Sequence, residues 1–181
     1  MAVKATIFKA ELQISDMDRN YYQAHTLTLA QHPSETEERL MVRLLAFALN
    51  ASDSLVFGRG ISTDDEPDLW QKDLTGVIDL WIEIGQPDEQ RIRKACGRAG
   101  KVVVYSFSGR GAAIWWEKNA VALQRCRNLA VIDVATASSQ ELAALASRNI
   151  QLQCFIQDGQ VQLMGEHESV AVELNVLKTA D

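Results

Sequence analysis

Val77-Ile78-Asp79-Leu80-Trp81-Ile82-Glu83-Ile84 is the stretch whose reading decides the fold. Its β-branched and aromatic residues favour a strand, and Gly85 closes it. Strand geometry sends alternate side chains to opposite faces, so Ile78, Leu80, Ile82 and Ile84 share one side and Asp79, Trp81 and Glu83 the other. The first side is core. On the second, carboxylates beneath a covering layer must be paired, protonated or metal-bound. If that side is solvated, as in many half-buried strands, they need no explanation.

C-terminal to this strand, a helix is expected from about Asp88 to Arg98, with Ile92, Ala95, Cys96 and Ala99 as its apolar stripe. Val102-Val103-Val104-Tyr105 then reads as a buried strand, which makes a strand-helix-strand crossover and a parallel pair. The pattern repeats with a helix near Ala113–Gln124, a strand at Leu129–Val134 and a helix from about Ser139 to Ala146. Residues 152–156, 161–164 and 170–176 follow as an antiparallel meander, turned at Asp158-Gly159 and across 165–169.

N-terminal to it lie the acidic loop Asp64-Asp65-Glu66-Pro67-Asp68 and a short strand, Leu55-Val56-Phe57. Before them, Ser34-Glu35-Thr36-Glu37 has the form of a capping box, with Ser34 as the cap of a helix running to about Asn50. Leu40, Met41, Leu44, Leu45 and Ala48 form its apolar stripe, Arg39 and Arg43 point away from it, and Glu38 lies at its edge. Residues 5–14 and 25–30 alternate on either side of a turn at 16–20 and predict a β-hairpin. The fold class is therefore α/β (α+β): a mixed central sheet with flanking helices, an extra hairpin at the N-terminus and a meander at the C-terminus. No linker or repeat divides residues 1–181, so one domain is expected.

With 47% hydrophobic and 23% charged residues, the 181-residue chain is globular in composition, which excludes disordered, collagen-like and coiled-coil classes. No apolar run approaches the roughly 18 residues of a membrane helix, and no signal peptide opens the chain, so no membrane association and a cytoplasmic location are expected. Cys96, Cys126 and Cys154 are odd in number and lack C-x-x-C spacing, which argues against a disulfide framework or zinc. Phosphate-loop, dinucleotide and hydrolase-elbow motifs are absent, and His25, His32 and His167 lack ligand-like spacing.

The net charge of −6 hides an asymmetry. From Arg91 to Arg127 nine basic residues face one acidic residue, Glu117, so that window carries +8 while the rest carries −14. The 91–127 segment is thus a candidate footprint for a polyanion such as nucleic acid, set against the ordinary alternative of a solvated charged face.

His32-Pro33-Ser34-Glu35-Thr36, Asp64-Asp65-Glu66-Pro67, Ile78-Asp79-Leu80-Trp81-Ile82-Glu83, Gln86-Pro87-Asp88-Glu89 with Arg91-Ile92 and Lys94-Ala95, and Ile114-Trp115-Trp116 together resemble the YaeQ family of bacterial proteins, over nearly the whole chain. That resemblance implies a compact variant of the PD-(D/E)XK nuclease fold, with a glutamate on a helix, Asp and Glu on a sheet, and a Mg²⁺-dependent phosphodiesterase-type site. Glu38, Asp79 and Glu83 are then the metal ligands, and the ion would polarise the scissile phosphate and acidify a bound water. The motif lysine, two residues after the glutamate, is replaced by Gly85, and by the resemblance Lys94 on the following helix takes its catalytic place. Arg91, Arg93 and Arg110 would contact phosphates, and Trp115-Trp116 would either stack on a base or anchor a helix in the core.

Two geometric objections accompany this reading. Helical periodicity sends Lys94 to solvent and brings Arg91 nearer the packed face. Asp79 and Glu83 are four strand steps apart, or roughly 13 Å at about 3.3 Å per residue, too far to share one ion bound at about 2.1 Å without a bulge or a second metal, so Glu38, Asp64 or Asp65 would complete the site around one of them. Two functions therefore stand: a Mg²⁺-dependent nuclease-like enzyme, or a non-catalytic module on the same scaffold that binds nucleic acid or a protein partner.

Overall fold

The hairpin and the meander, at opposite ends of the chain, meet in one sheet. The computed structural model describes residues 4–59 and 65–181; Asp64 of the acidic loop lies outside them. β1 (Thr6–Asp16) and β2 (Tyr21–Gln31) form the hairpin, and β1 also pairs in parallel with β8 (Asn149–Gln157). β9 (Gln160–Met164) and β10 (Ser169–Val172) complete a five-stranded sheet in the order β10-β9-β8-β1-β2. Asp158 and Gly159, with φ of 53° and 74°, turn β8 into β9 as the Asp-Gly pair predicts. The Asp18 carboxylate accepts from both of their amides, at 2.7 and 2.9 Å, and ties this turn to that of the first hairpin.

The other sheet is six-stranded, β11-β7-β6-β5-β4-β3. Its elements are β3 (Leu55–Phe57), β4 (Leu69–Lys72), β5 (Ile78–Ile84), β6 (Ala99–Ser106), β7 (Leu129–Val134) and β11 (Leu174–Lys178). β5, β6 and β7 run parallel, as the crossover pattern requires. The expected single sheet is thus two mixed sheets, and the last expected strand, 170–176, is divided between them. β10 ends at Val172, and β11 pairs antiparallel with β7 after Ala135 N–H donates to the Glu173 carbonyl. β4 escapes the sequence reading because it is four residues long and follows the acidic loop.

α1 (Glu37–Asn50) and α4 (Thr136–Ala143) lie between the sheets, while α2 (Glu89–Arg98) and α3 (Arg110–Leu123) cover the outer face of the six-stranded one. Enclosed from both sides, α1 has every residue from Leu40 to Ala48 buried. This corrects the one-stripe reading of the helix: Arg43 faces protein, not solvent, and is 4% exposed. The cap also differs. Thr36 accepts from Arg39 N–H at 3.1 Å, while Ser34 is bonded to His32.

β5 departs from strict alternation at Asp79. Against β4, Gln71 pairs with Leu80 and Lys72 with Ile78, so Asp79 is the extra residue of a bulge. The bulge turns Ile78 away from Ile82 and Ile84 into the outer core beside Trp81, Val102, Val104 and Trp115. Among the described residues no helix is long and apolar enough to cross a membrane.

Candidate functional site

Four of the five buried charged residues described, Glu35, Arg43, Asp68 and Glu83, gather toward the carboxyl end of β5, and the fifth, Asp16 on β1, pairs with Arg19. Glu35, just before α1, receives Arg43 through both oxygens, with Nη2 to Oε1 at 2.7 Å and Nε to Oε2 at 2.9 Å. Arg43 Nη2 also donates to the Ala30 carbonyl at 3.0 Å, which ties α1 to the hairpin. One turn earlier on α1, Arg39 donates to Glu35 and, at 2.8 Å, to Asp68 Oδ1. The other oxygen of Asp68 accepts the backbone N–H of Ile84 at 2.8 Å. Burial works against the charge of Arg39, but Asp68 and Glu35 outweigh it and hold the guanidinium above its ordinary pKa.

Glu83 follows in the same group. In the antiparallel register of β4 and β5, Leu69 faces Ile82, so Asp68 and Glu83 are adjacent across the strands. Glu83 Oε1 accepts from Trp81 Nε1 at 2.9 Å and from Arg91 Nε at 2.7 Å. Arg91 reaches on to the Glu66 carbonyl at 2.8 Å. Burial and then the Asp68 carboxylate push the Glu83 pKa up, and Arg91 pulls it back. α2 is aimed at this point by its own cap, Asp88, which accepts from Arg91 N–H at 2.8 Å.

Two glycines shape the surrounding backbone. A Cβ on Gly58 would lie 1.9 Å from the Pro67 carbonyl oxygen, and Gly58 N–H donates to the Asp68 carbonyl, so only glycine lets β3 approach the loop that presents Asp68. Gly85 has φ of 106° and donates to the Tyr105 carbonyl. Side chains rarely adopt that conformation, so the position two residues after Glu83 is one where a lysine would be strained.

The six expected side chains besides Glu83 have different fates. Asp79 is exposed at the bulge, at the opposite end of β5 from Glu83. Glu38 is half-buried on α1, and its neighbour Arg39 makes the contacts to the acidic residues. Lys94 is exposed on α2, whereas Arg91, one turn before it, is half-buried against Glu83, as periodicity predicted. Arg93 is exposed and pairs with Glu89 at 3.2 Å. Arg110 is exposed at the first residue of α3, after the carboxyl end of β6. Trp115 is a core anchor that donates to the Pro87 carbonyl at 2.8 Å, and its neighbour Trp116 is half-buried.

Asp68, Glu35, Arg39 and Arg43 are the residues sequence reasoning missed. The signal for Asp68 was its place directly before a strand that pairs with β5, legible only once β4 is recognised. Among the described residues, the side chains gathered here do not fit Mg²⁺ as arranged. Both oxygens of Asp68 and Oε1 of Glu83 receive N–H donors, the adjacent cations are Arg39 and Arg91, and among the described residues no three His, Cys, Asp or Glu side chains are grouped to hold a metal. What the arrangement does is cross-link α1, β4, β5 and α2 by ion pairs whose partners are mutually compensated.

The YaeQ protein family model matches residues 1–174. The chain belongs to the YaeQ family. YaeQ of Escherichia coli K12 is 44% identical over 174 residues, covering 96% of each chain, and that of Salmonella typhi is 42% identical over the same coverage. The crystal structure of YaeQ from Xanthomonas axonopodis pv. citri superposes with a TM-score of 0.94 at 56% identity, covering 97% of this chain and 99% of that one. YaeQ from Pseudomonas syringae gives 0.93 at 35% identity, covering 97% of both. The family resemblance read from the sequence is thereby confirmed, and the two-sheet arrangement is that of YaeQ crystal structures.

Proposed function

We propose that this YaeQ-family protein is a non-catalytic nucleic-acid-binding module, built on a nuclease-like scaffold whose acidic centre is closed by arginines. The observation that carries the non-catalytic part is the Glu83–Arg91 pair at 2.7 Å, together with Asp68 engaged through both oxygens. A guanidinium at the carboxylate meets its charge where a metal-dependent enzyme needs a ligand, and the positive φ of Gly85 disfavours the motif lysine.

The binding part is supported by charge placement. Lys94 on α2, Arg110 and Lys118 on α3, and Arg125 and Arg127 beyond α3 are exposed, and among the described residues none of them has an ion-pair partner. All belong to the layer outside the six-stranded sheet or its connection to β7, and in a protein of net charge −6 they form a cationic side suited to phosphates.

Fluorescence anisotropy with labelled single- and double-stranded DNA and RNA across a salt series tests this reading. The expected result is binding that weakens with salt, with Arg110→Ala and Lys94→Ala each lowering the log–log slope by about 0.7–0.9. Salt-insensitive binding, or none, overturns it in favour of a protein partner. Mg²⁺-dependent cleavage of the same oligonucleotides, lost in Glu83→Gln, overturns the non-catalytic half and restores the phosphodiesterase reading with Asp68 in the place given to Asp79.

A further inference from the structure

β2 is the end strand of the five-stranded sheet, and among the described residues no strand pairs with its outer edge. Its eleven residues pair with β1 in one unbroken register without a bulge. Tyr21-Tyr22-Gln23-Ala24-His25-Thr26-Leu27-Thr28-Leu29-Ala30-Gln31 also contains no proline and no Asp, Glu, Lys or Arg. Long edge strands are ordinarily protected by such charges, prolines or bulges, because unpaired backbone N–H and C=O groups template the addition of another strand. Apart from the Ala30 carbonyl, which Arg43 holds, this edge has none of those protections, and its side chains are open: Tyr22 is 57% exposed, and Ala24, Thr26, Thr28 and Ala30 are exposed on the same face.

The sequence of the edge also says what fits it. Residues 23–31, Gln-Ala-His-Thr-Leu-Thr-Leu-Ala-Gln, read nearly the same in both directions about Leu27. Antiparallel pairing of this strand with itself about Leu27 sets Gln23 opposite Gln31, Ala24 opposite Ala30 and Thr26 opposite Thr28, with only the His25/Leu29 pair mixed. Threonine–threonine neighbours are favourable across antiparallel strands, small residues face small ones, and no like charges are opposed. A two-fold axis demands this kind of self-complementarity, since each residue of the patch must fit the residue its own copy presents.

We propose that the outer edge of β2 pairs antiparallel with the same edge of a second copy of this chain, about a two-fold axis at Leu27, joining two five-stranded sheets into one of ten strands. The half-buried Leu27 side chains of the two copies then meet on the inner face, and the outward-pointing backbone groups of Ala24, Thr26 and Thr28 gain partners. The proposal does not depend on the nucleic-acid reading.

Sedimentation equilibrium of the full chain over micromolar to hundred-micromolar concentrations tests it, with two double variants at exposed positions. The unmodified protein is expected to approach twice its 20.1 kDa mass. Thr26→Lys with Thr28→Lys opposes like charges across the axis and should weaken the dimer at least about tenfold. Thr26→Lys with Thr28→Glu opposes unlike charges and should keep it. A protein monomeric throughout the range, including one that instead takes up an extended segment of another protein, overturns the proposal. So does a dimer indifferent to the lysine pair, and loss in both variants overturns the Leu27 register. Amide exchange needs no substitution: protection of 23–31 that rises with concentration supports the pairing, and concentration-independent exchange contradicts it.

Discussion

Asp68 and Glu83 stand next to each other across β4 and β5, and each is held by a different arginine from a different helix, Asp68 by Arg39 at 2.8 Å and Glu83 by Arg91 at 2.7 Å. Two adjacent buried carboxylates repel, and the helices α1 and α2 are docked onto the sheet by the cations that relieve the repulsion. Asp79 plays no part in this group, so the two aspartates should differ sharply on replacement. Asp68→Ala leaves the Ile84 N–H and part of Arg39 without acceptors and should cost about 2–4 kcal/mol in urea denaturation. Asp79→Ala, at an exposed bulge, should stay within about 0.5 kcal/mol. Equal costs would contradict the geometry.

Glu83 also makes stability depend on pH. Its pKa in the folded chain is raised, by burial first and by Asp68 second, above the ordinary 4.5. A carboxyl that holds its proton more tightly when folded favours folding at low pH, and that contribution is lost as pH rises from about 4.5 through the folded value. Glu83→Gln lacks this loss. The stability of the variant relative to the unmodified protein should therefore improve as pH rises through that window, read from paired urea titrations at pH 4 and pH 7. A relative stability that falls with pH would mean that Arg91 dominates over burial.

Arg43 and Glu35 are almost entirely enclosed, with side chains 4% and 1% exposed. Removing one member leaves the other charged and buried, so Arg43→Ala should cost about 3–5 kcal/mol. Glu35→Ala should cost at least as much, because Arg39 loses a partner as well. The midpoint of chemical denaturation checks both; a change below about 1 kcal/mol for Arg43→Ala would show that the guanidinium finds other acceptors.

Mg²⁺ should leave the melting temperature of the unmodified protein unchanged at millimolar concentration. Binding to the folded state alone would stabilise it by about 0.4 kcal/mol already when the free ion equals its dissociation constant. Arg91→Gln removes the cation from Glu83 but leaves Asp68 held by Arg39 and the Ile84 N–H, so no rise in melting temperature with Mg²⁺ is expected in that variant either. A rise in the unmodified protein that Glu83→Gln abolishes would show that the ion competes with Arg91.

Gly85→Lys places a long charged side chain two positions after Glu83. With φ at 106° and no atom within 4 Å of the point a Cβ would occupy, the penalty is conformational, not steric. Gly85→Ala and Gly85→Lys should therefore destabilise by similar amounts, about 1–3 kcal/mol each, in thermal or urea melts. A lysine variant as stable as the unmodified protein would show that the backbone relaxes freely there.

Much of this protein was determined by its sequence alone, wherever the cause is local. Alternation in 80–84, the apolar run at 102–105, Asp158-Gly159 and the Asp88 cap mark strands, turn and helix start through interactions within a few residues, and the order of strands and helices then requires β5, β6 and β7 to be parallel. Periodicity likewise sent Lys94 outward and Arg91 inward. Tertiary structure decided what depends on partners distant in the chain. β1 pairs with β8 across more than a hundred residues, so the two ends build a second sheet, and α1, enclosed by both sheets, buries Arg43 and half-buries Arg39, which a one-sided helix would expose. Register did the same for the site. The bulge leaves Asp79 outside, and the four-residue β4 brings Asp68 to Glu83, because a carboxylate's neighbours across a sheet are set by strand pairing and not by sequence spacing.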